Sequence, residues 1–155
     1  MKTSAYAFFF LILMVAVACQ DDDDDKRANT PDPAVFDDTP YAFDSQGLPP
    51  PQAIQADNEL TVEGVKLGKM LFFEPMLSKN NALSCGSCHN QTTGFTDTAR
   101  FSVGVDGIPG GRQAMSVFNL AWHTNEFLWD GRSNLLRDQA LEPIKDPVEM
   151  NETLE

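Results

Sequence analysis

Five consecutive residues carry the most legible chemistry in this chain: Cys85, Gly86, Ser87, Cys88 and His89. Two cysteines three positions apart fall on one side of a short helical turn, and an imidazole follows directly. Thiols so spaced can add to the two vinyl groups of a haem while the imidazole reaches the iron, which is the c-type attachment signature. On this reading Cys85 and Cys88 are the covalent anchors and His89 is the proximal iron ligand. Gly86 and Ser87 are small, so the porphyrin edge is expected close to the backbone. A thioredoxin-type redox pair would want a strand before the motif, whereas Asn80-Asn81-Ala82-Leu83-Ser84 precedes it. A structural zinc site would need a fourth ligand, and beyond the motif only His123 and Cys19 remain among the cysteines and histidines.

The elements around the motif are short. Thr61 reads as an N-cap, and Val65, Leu67, Met70, Leu71 and Phe73 recur at helical spacing until Pro75, predicting a helix over 62–73. Gly64 and Gly68 within it would admit the close approach of another helix or a haem edge. Residues 90–111 show no sustained apolar period and are rich in glycine, predicting a long loop over the distal face of the haem. That loop contains no His and no Met, hence no strong iron ligand. Residues 116–122 read as a short helix, and Trp129-Asp130-Gly131-Arg132 as a turn fixed by Asp130 and Arg132, with a haem propionate as a second option for Arg132. Ser133 reads as the cap of a helix over 134–142 that Pro143 ends, and Asn151 as the cap of one whose body would follow. The fold class expected is mainly α, a cytochrome c-like haem domain with short helices and long loops.

The N-terminus has a different character. Lys2, an apolar run from Ala7 to Ala18 and the small residues Ala16-Val17-Ala18 before Cys19 read as a lipoprotein-type signal peptide over 1–18. Cys19 would then be acylated, the membrane being reached only through that lipid. Residues 19–52, acidic and proline-rich, read as a linker, with Tyr41 and Phe43 as residues that could dock on the domain, and 53–155 as the haem domain. The cysteines then close without a disulfide. Without the signal the chain has 10 basic and 23 acidic side chains, a net charge of −13, which excludes nucleic acid as a partner. The run Asp21 to Asp25 reads as a solvated tether, and also resembles the acidic signal that sends some lipoproteins to the cell surface. The expected location is outside the cytoplasm, in the periplasm or at the cell surface.

From Leu67 to Met150 the chain resembles the N-terminal haem domain of bacterial di-haem cytochrome c peroxidases. The stretches that carry the resemblance are Leu67 to Pro75, Cys85 to His89, Thr93 to Asp97, Gly111-Arg112, Trp129 to Arg132, Gln139-Ala140 and Pro147 to Met150. The resemblance implies a peroxidatic haem that reduces hydrogen peroxide to water with electrons relayed from a second haem domain. It implies a small electron donor of the cytochrome c or cupredoxin type, and a second copy of the chain is a candidate partner. By the same match Gln139 and Glu149 would lie on the distal side, Gln139 hydrogen-bonding peroxide and Glu149 moving protons, while Trp129 would bridge the two haems.

Several positions depart from that pattern. Val105 stands where many members carry a distal His, which predicts an iron open to peroxide at rest. Gln113 replaces an Asn that helps to hold an interdomain calcium, leaving calcium only a candidate cofactor. Asp138 replaces a Glu beside Gln139. With a single Cys-x-x-Cys-His, these residues can attach one haem, so the second haem domain is missing from them. Two readings compete with the peroxidase. One is the related class that oxidises tryptophans on a protein substrate, which a distal Tyr would favour and the loop lacks. The other is a mono-haem electron-transfer protein without catalysis, for which His123, Met76 or Met115 would supply the second axial ligand.

Overall fold

A computed structural model describes residues 36–154. The signal peptide, Cys19 and the acidic run all lie outside the described residues. Three α-helices stand in a framework of loops: α1 (Val62–Phe72), α2 (Cys85–Cys88) and α3 (Leu136–Lys145), with single 3-10 turns at Pro75–Leu77, Gln91–Thr93 and Leu120–Trp122. Strand pairing among the described residues is confined to isolated bridges, such as Asn90 with Thr96 and Phe127 with Ser133. The mainly α, loop-rich class expected from the sequence is the one observed.

α1 starts where its cap places it, the Thr61 side chain accepting from the Gly64 amide at 3.0 Å. It ends one residue earlier than expected, with Phe73 in the capping position. The two glycines within it differ in their surroundings. A Cβ at Gly64 would stand 2.8 Å from the Thr61 hydroxyl, so that glycine makes room for the cap, and a Cβ at Gly68 would meet nothing within 4 Å. Among the described residues no other helix packs against Gly68.

The remaining helical expectations are corrected in detail. The helix predicted over 116–122 shrinks to Leu120–Trp122 because Asn119 adopts a left-handed backbone, φ 63°, through which a right-handed helix cannot propagate. α3 begins at Leu136 rather than Asn134 and runs through Pro143 to Lys145. Ser133 does not cap it. It is buried, its backbone paired with Phe127. Pro143 is tolerated because the last turn is held from outside: the Pro143 carbonyl accepts from Met150 N–H at 3.1 Å and the Ile144 carbonyl from Glu152 N–H at 2.8 Å. Burial of Ile144 anchors that turn. Asn151 caps no helix among the described residues. Its φ is 48° and its amide donates to Asp106 at 2.8 Å.

The described part of the proline-rich stretch lies on the domain. The Tyr41 amide donates to the Leu60 carbonyl at 2.9 Å, and both the Gln52 and Ala53 amides donate to the Ala121 carbonyl at 2.8 Å. Trp122 Nε1 donates to the Pro49 carbonyl at 2.6 Å, and the rings of Phe43 and Trp122 meet at 5.5 Å between centroids. The docking considered for Tyr41 and Phe43 is thus made by the backbone of the first and the ring of the second.

Few apolar side chains of the described residues are buried: Ala53, Phe127, Ile144 and Met150. A domain of this size normally stabilises itself by burying well over half of its surface. Here much of the apolar surface instead lines a cavity.

Candidate functional site

The Cys-x-x-Cys-His pentapeptide is held from its N-terminal side by Ser78, whose side chain is fully buried. Its Oγ donates to the Pro75 carbonyl at 2.8 Å and accepts from the amides of Ala82 at 3.1 Å and Leu83 at 3.0 Å. These bonds fix the turn that delivers the chain to α2. At the start of α2 the Ser84 amide donates to Ser87 Oγ at 3.0 Å, and the His89 amide to the Cys85 carbonyl at 2.9 Å. Ser87 therefore serves the cap. A Cβ at Gly86 would stand 2.7 Å from the Phe73 ring, so the space a side chain would need there belongs to α1. Neither Gly86 nor Ser87 lines the cavity beside the motif.

Both thiols are free and half-buried. Burial pushes their ionisation upward, a Ser102 hydrogen bond partly offsetting this at Cys88. His89 Nδ1 lies 3.1 Å from the Phe95 carbonyl oxygen. With Nδ1 engaged, Nε2 is the nitrogen left to bind a metal. The carbonyl is aimed by two consecutive left-handed residues, Gly94 at φ 72° and Phe95 at φ 58°. The sequence offered only the glycine as a hint of this partner. Ser116 Oγ donates to the Gly94 carbonyl at 2.6 Å, tying the turn to the segment across it.

A cavity of about 950 Å³ opens beside the motif, at the upper end of the range for cofactor and ligand sites. Cys85, Cys88 and His89 line it together with Gln139, Glu149 and Trp129. Residues that lie up to 64 positions apart in sequence thus share one chamber. Gln139 sits on α3. Glu149 sits in the turn beyond it, where the Val148 amide donates to Asp146 Oδ1 at 2.8 Å and the Glu149 amide to the Asp146 carbonyl at 3.0 Å. Glu149 keeps an accessible face on the cavity, yet the surrounding protein desolvates its carboxyl and raises its pKa. The carboxylates of Asp146 and Glu142 push in the same direction, with Arg132 opposing.

Trp129 is 64% exposed and its Nε1 donates to the Gln113 carbonyl at 2.8 Å. Asp130 receives two guanidinium groups, Arg112 and Arg132, each at 2.9 Å, and Arg132 Nε donates to Glu142 Oε2 at 3.0 Å. The turn-fixing pair read from the sequence is therefore one part of a four-residue charge network, of which Arg112, Asp130 and Arg132 also line the cavity. Ser102, Val103 and Gly104 of the long loop line it as well, with Val105 beside them in the chain. Of the three candidate second axial ligands, Met115 lines the cavity, whereas His123 and Met76 do not. The His123 ring packs on Phe127 at 5.3 Å between centroids, and Met76 is exposed. Among the described residues no group of three or more His, Cys, Asp or Glu side chains is arranged to hold a metal ion.

Two free thiols and an imidazole with one committed nitrogen, opening on a large chamber in a helical framework short of a core of its own, define the class of a haem domain. The chain belongs to the di-haem cytochrome c peroxidase family, whose family model matches residues 62–155. It is 44% identical over 110 residues to the methylamine utilization protein MauG of Methylorubrum extorquens, covering 71% of this chain and 30% of that one. It is 46% identical over 88 residues to the cytochrome c551 peroxidase of Pseudomonas aeruginosa, covering 57% and 25%. Among solved structures it resembles a MauG-like protein associated with microbial copper homeostasis, with TM-score 0.65, 34% identity and coverage of 73% and 33%. The chain thus spans between a quarter and a third of the length of these relatives.

Proposed function

We propose that these residues form the peroxidatic haem domain of a di-haem cytochrome c peroxidase, reducing hydrogen peroxide to water. The observation that carries this reading is the shared chamber. The attachment motif, an amide at Gln139 and a carboxyl at Glu149 all open on one space, the carboxyl in surroundings that favour its protonated form. The residues fit a c-type haem: Cys85 and Cys88 would each add S–H across a vinyl group, and His89 Nε2 would bind the iron. When bound, the haem would supply the electron path to the O–O bond. Gln139 would orient the peroxide by hydrogen bonding, and Glu149 would deliver a proton to the departing oxygen, two electrons and two protons converting one peroxide into two waters. Trp129, exposed and pinned by Gln113, is suited to carry electrons from a second haem domain, itself reduced by a small cytochrome c or cupredoxin. We further propose export by the signal peptide and anchoring through Cys19; calcium remains only a candidate at Gln113.

The test is rapid mixing of the haem-loaded protein with hydrogen peroxide, which needs no second domain. Glu149→Gln should slow the reaction about 100-fold or more, the worth of a positioned acid or base. Equal rates in variant and parent would remove Glu149 from the mechanism. A mono-haem carrier, with Met115 as its second axial ligand, would instead give a six-coordinate iron that ignores peroxide.

A further inference from the structure

We infer that the 102–109 loop is a backbone clamp for Glu149, with Gly104 and Asp106 as its positioning residues. The inference rests on the proposed role of Glu149 in proton transfer. The Val105 amide donates to the Glu149 carbonyl at 2.7 Å, bonding the loop to the residue that carries the acid. That bond requires an approach that only glycine allows at the preceding position. A Cβ on Gly104 would overlap the Val148 carbonyl oxygen and stand 2.7 Å from the Val148 carbonyl carbon and 2.8 Å from the Glu149 carbonyl oxygen. All three atoms are backbone, so no side chain can swing aside to relieve the contact.

A second tie lies on the other side of Glu149. Asp106 accepts from Asn151 Nδ2 at 2.8 Å and from Lys79 Nζ at 3.1 and 3.2 Å, while the Lys79 amide donates to the Met150 carbonyl at 3.0 Å. The 148–151 segment is thereby held at both ends of the crossing, and the Gly104 carbonyl closes the loop on itself by accepting from the Gly107 amide at 2.9 Å. The same segment is also bonded to the end of α3, the Glu149 amide donating to the Asp146 carbonyl at 3.0 Å and the Met150 amide to the Pro143 carbonyl at 3.1 Å, but neither of these bonds engages the Glu149 carbonyl. The loop adds the contact made to the Glu149 backbone carbonyl itself, through the Val105 amide at 2.7 Å. A displacement of about 1 Å is enough to cost a catalytic group much of its effect.

The experiment is a double-mutant cycle on the haem-loaded protein, reading the rate of reaction with hydrogen peroxide against pH, and amide exchange at Val105. Gly104→Ala should slow the parent about tenfold or more and shift its pH profile, and should slow Glu149→Gln no further. Exchange at Val105 should quicken by about tenfold, because the bond to Glu149 is lost. An equal slowing in both backgrounds, or an unchanged parent rate, would overturn the clamp. If Gly104→Ala does not yield folded protein, Asp106→Ala carries the same cycle with the same expected pattern. If the parent ignores peroxide, the proposed function fails by itself, and the clamp is then decided by Val105 exchange in either variant: unchanged exchange overturns it.

Discussion

Ser78→Ala tests the account of how the attachment motif is held. The hydroxyl is fully buried and makes three hydrogen bonds, but their loss is not equal. The Pro75 carbonyl keeps a partner, since it also accepts from the Ser78 amide at 2.9 Å. The Ala82 amide keeps one too, at Asn80 Oδ1, 3.1 Å away. Only the half-buried Leu83 amide is orphaned. One unsatisfied buried donor costs about 1–3 kcal/mol, so the variant should lose about 2 kcal/mol. For a domain of this size that corresponds to a fall in Tm of roughly 6–10 °C. Thermal unfolding of the haem-loaded variant measures it, with Asn80→Ala as the control. That change leaves the Ala82 amide bonded to Ser78 and should cost less than about 1 kcal/mol. A Ser78→Ala loss below about 0.5 kcal/mol would refute the argument, because the hydroxyl would then not be organising the turn before α2.

Because Glu149 binds its proton more tightly in the fold than in the unfolded chain, raising the pH through the interval from the ordinary carboxylate value of 4.5 up to its raised value favours unfolding. Stability measured across that interval should therefore decline in the parent relative to Glu149→Gln, and a parallel pair of curves would show that the carboxyl is not perturbed. Asp97 has the opposite sign. Its carboxylate is stabilised by the Ala99 amide and the Ser102 hydroxyl, so its contribution is present above 3.8 and lost as the pH falls through its lowered value, a loss that Asp97→Asn should abolish in acid titrations. Trp122→Phe removes the indole bond to the Pro49 carbonyl but keeps a ring against Phe43, and should cost about 1 kcal/mol in thermal unfolding while quickening proteolysis in the 36–52 stretch.

The Cys-x-x-Cys-His turn, the cap at Thr61, the turn at Asp130 and the mainly α, loop-rich class were legible in the sequence because each is a local matter. Spacing within five residues sets which thiols and imidazole can reach one ligand, and a threonine before an apolar period sets a helix start. The local reading failed where a distant segment altered the balance. Pro143 does not stop α3, since carbonyls of its last turn find donors at Met150 and Glu152 and Ile144 is buried. Asn119, with its left-handed backbone, cuts short the helix expected over 116–122, and its residue type alone did not disclose that. That the Phe73 ring fills the space a side chain at Gly86 would need was likewise not legible from residue type.

What the chain determined by itself was the inventory of reactive groups: two thiols, an imidazole, an amide and a carboxyl, in a family's order. Only the tertiary structure decided that Gln139 and Glu149 share a chamber with His89, that the Phe95 carbonyl commits one imidazole nitrogen, and that Gly104 must pass under the backbone of Glu149. The first and last are contacts between segments far apart in sequence, and the second depends on two consecutive left-handed residues, Gly94 and Phe95, that aim the carbonyl. No spacing rule along the chain encodes them.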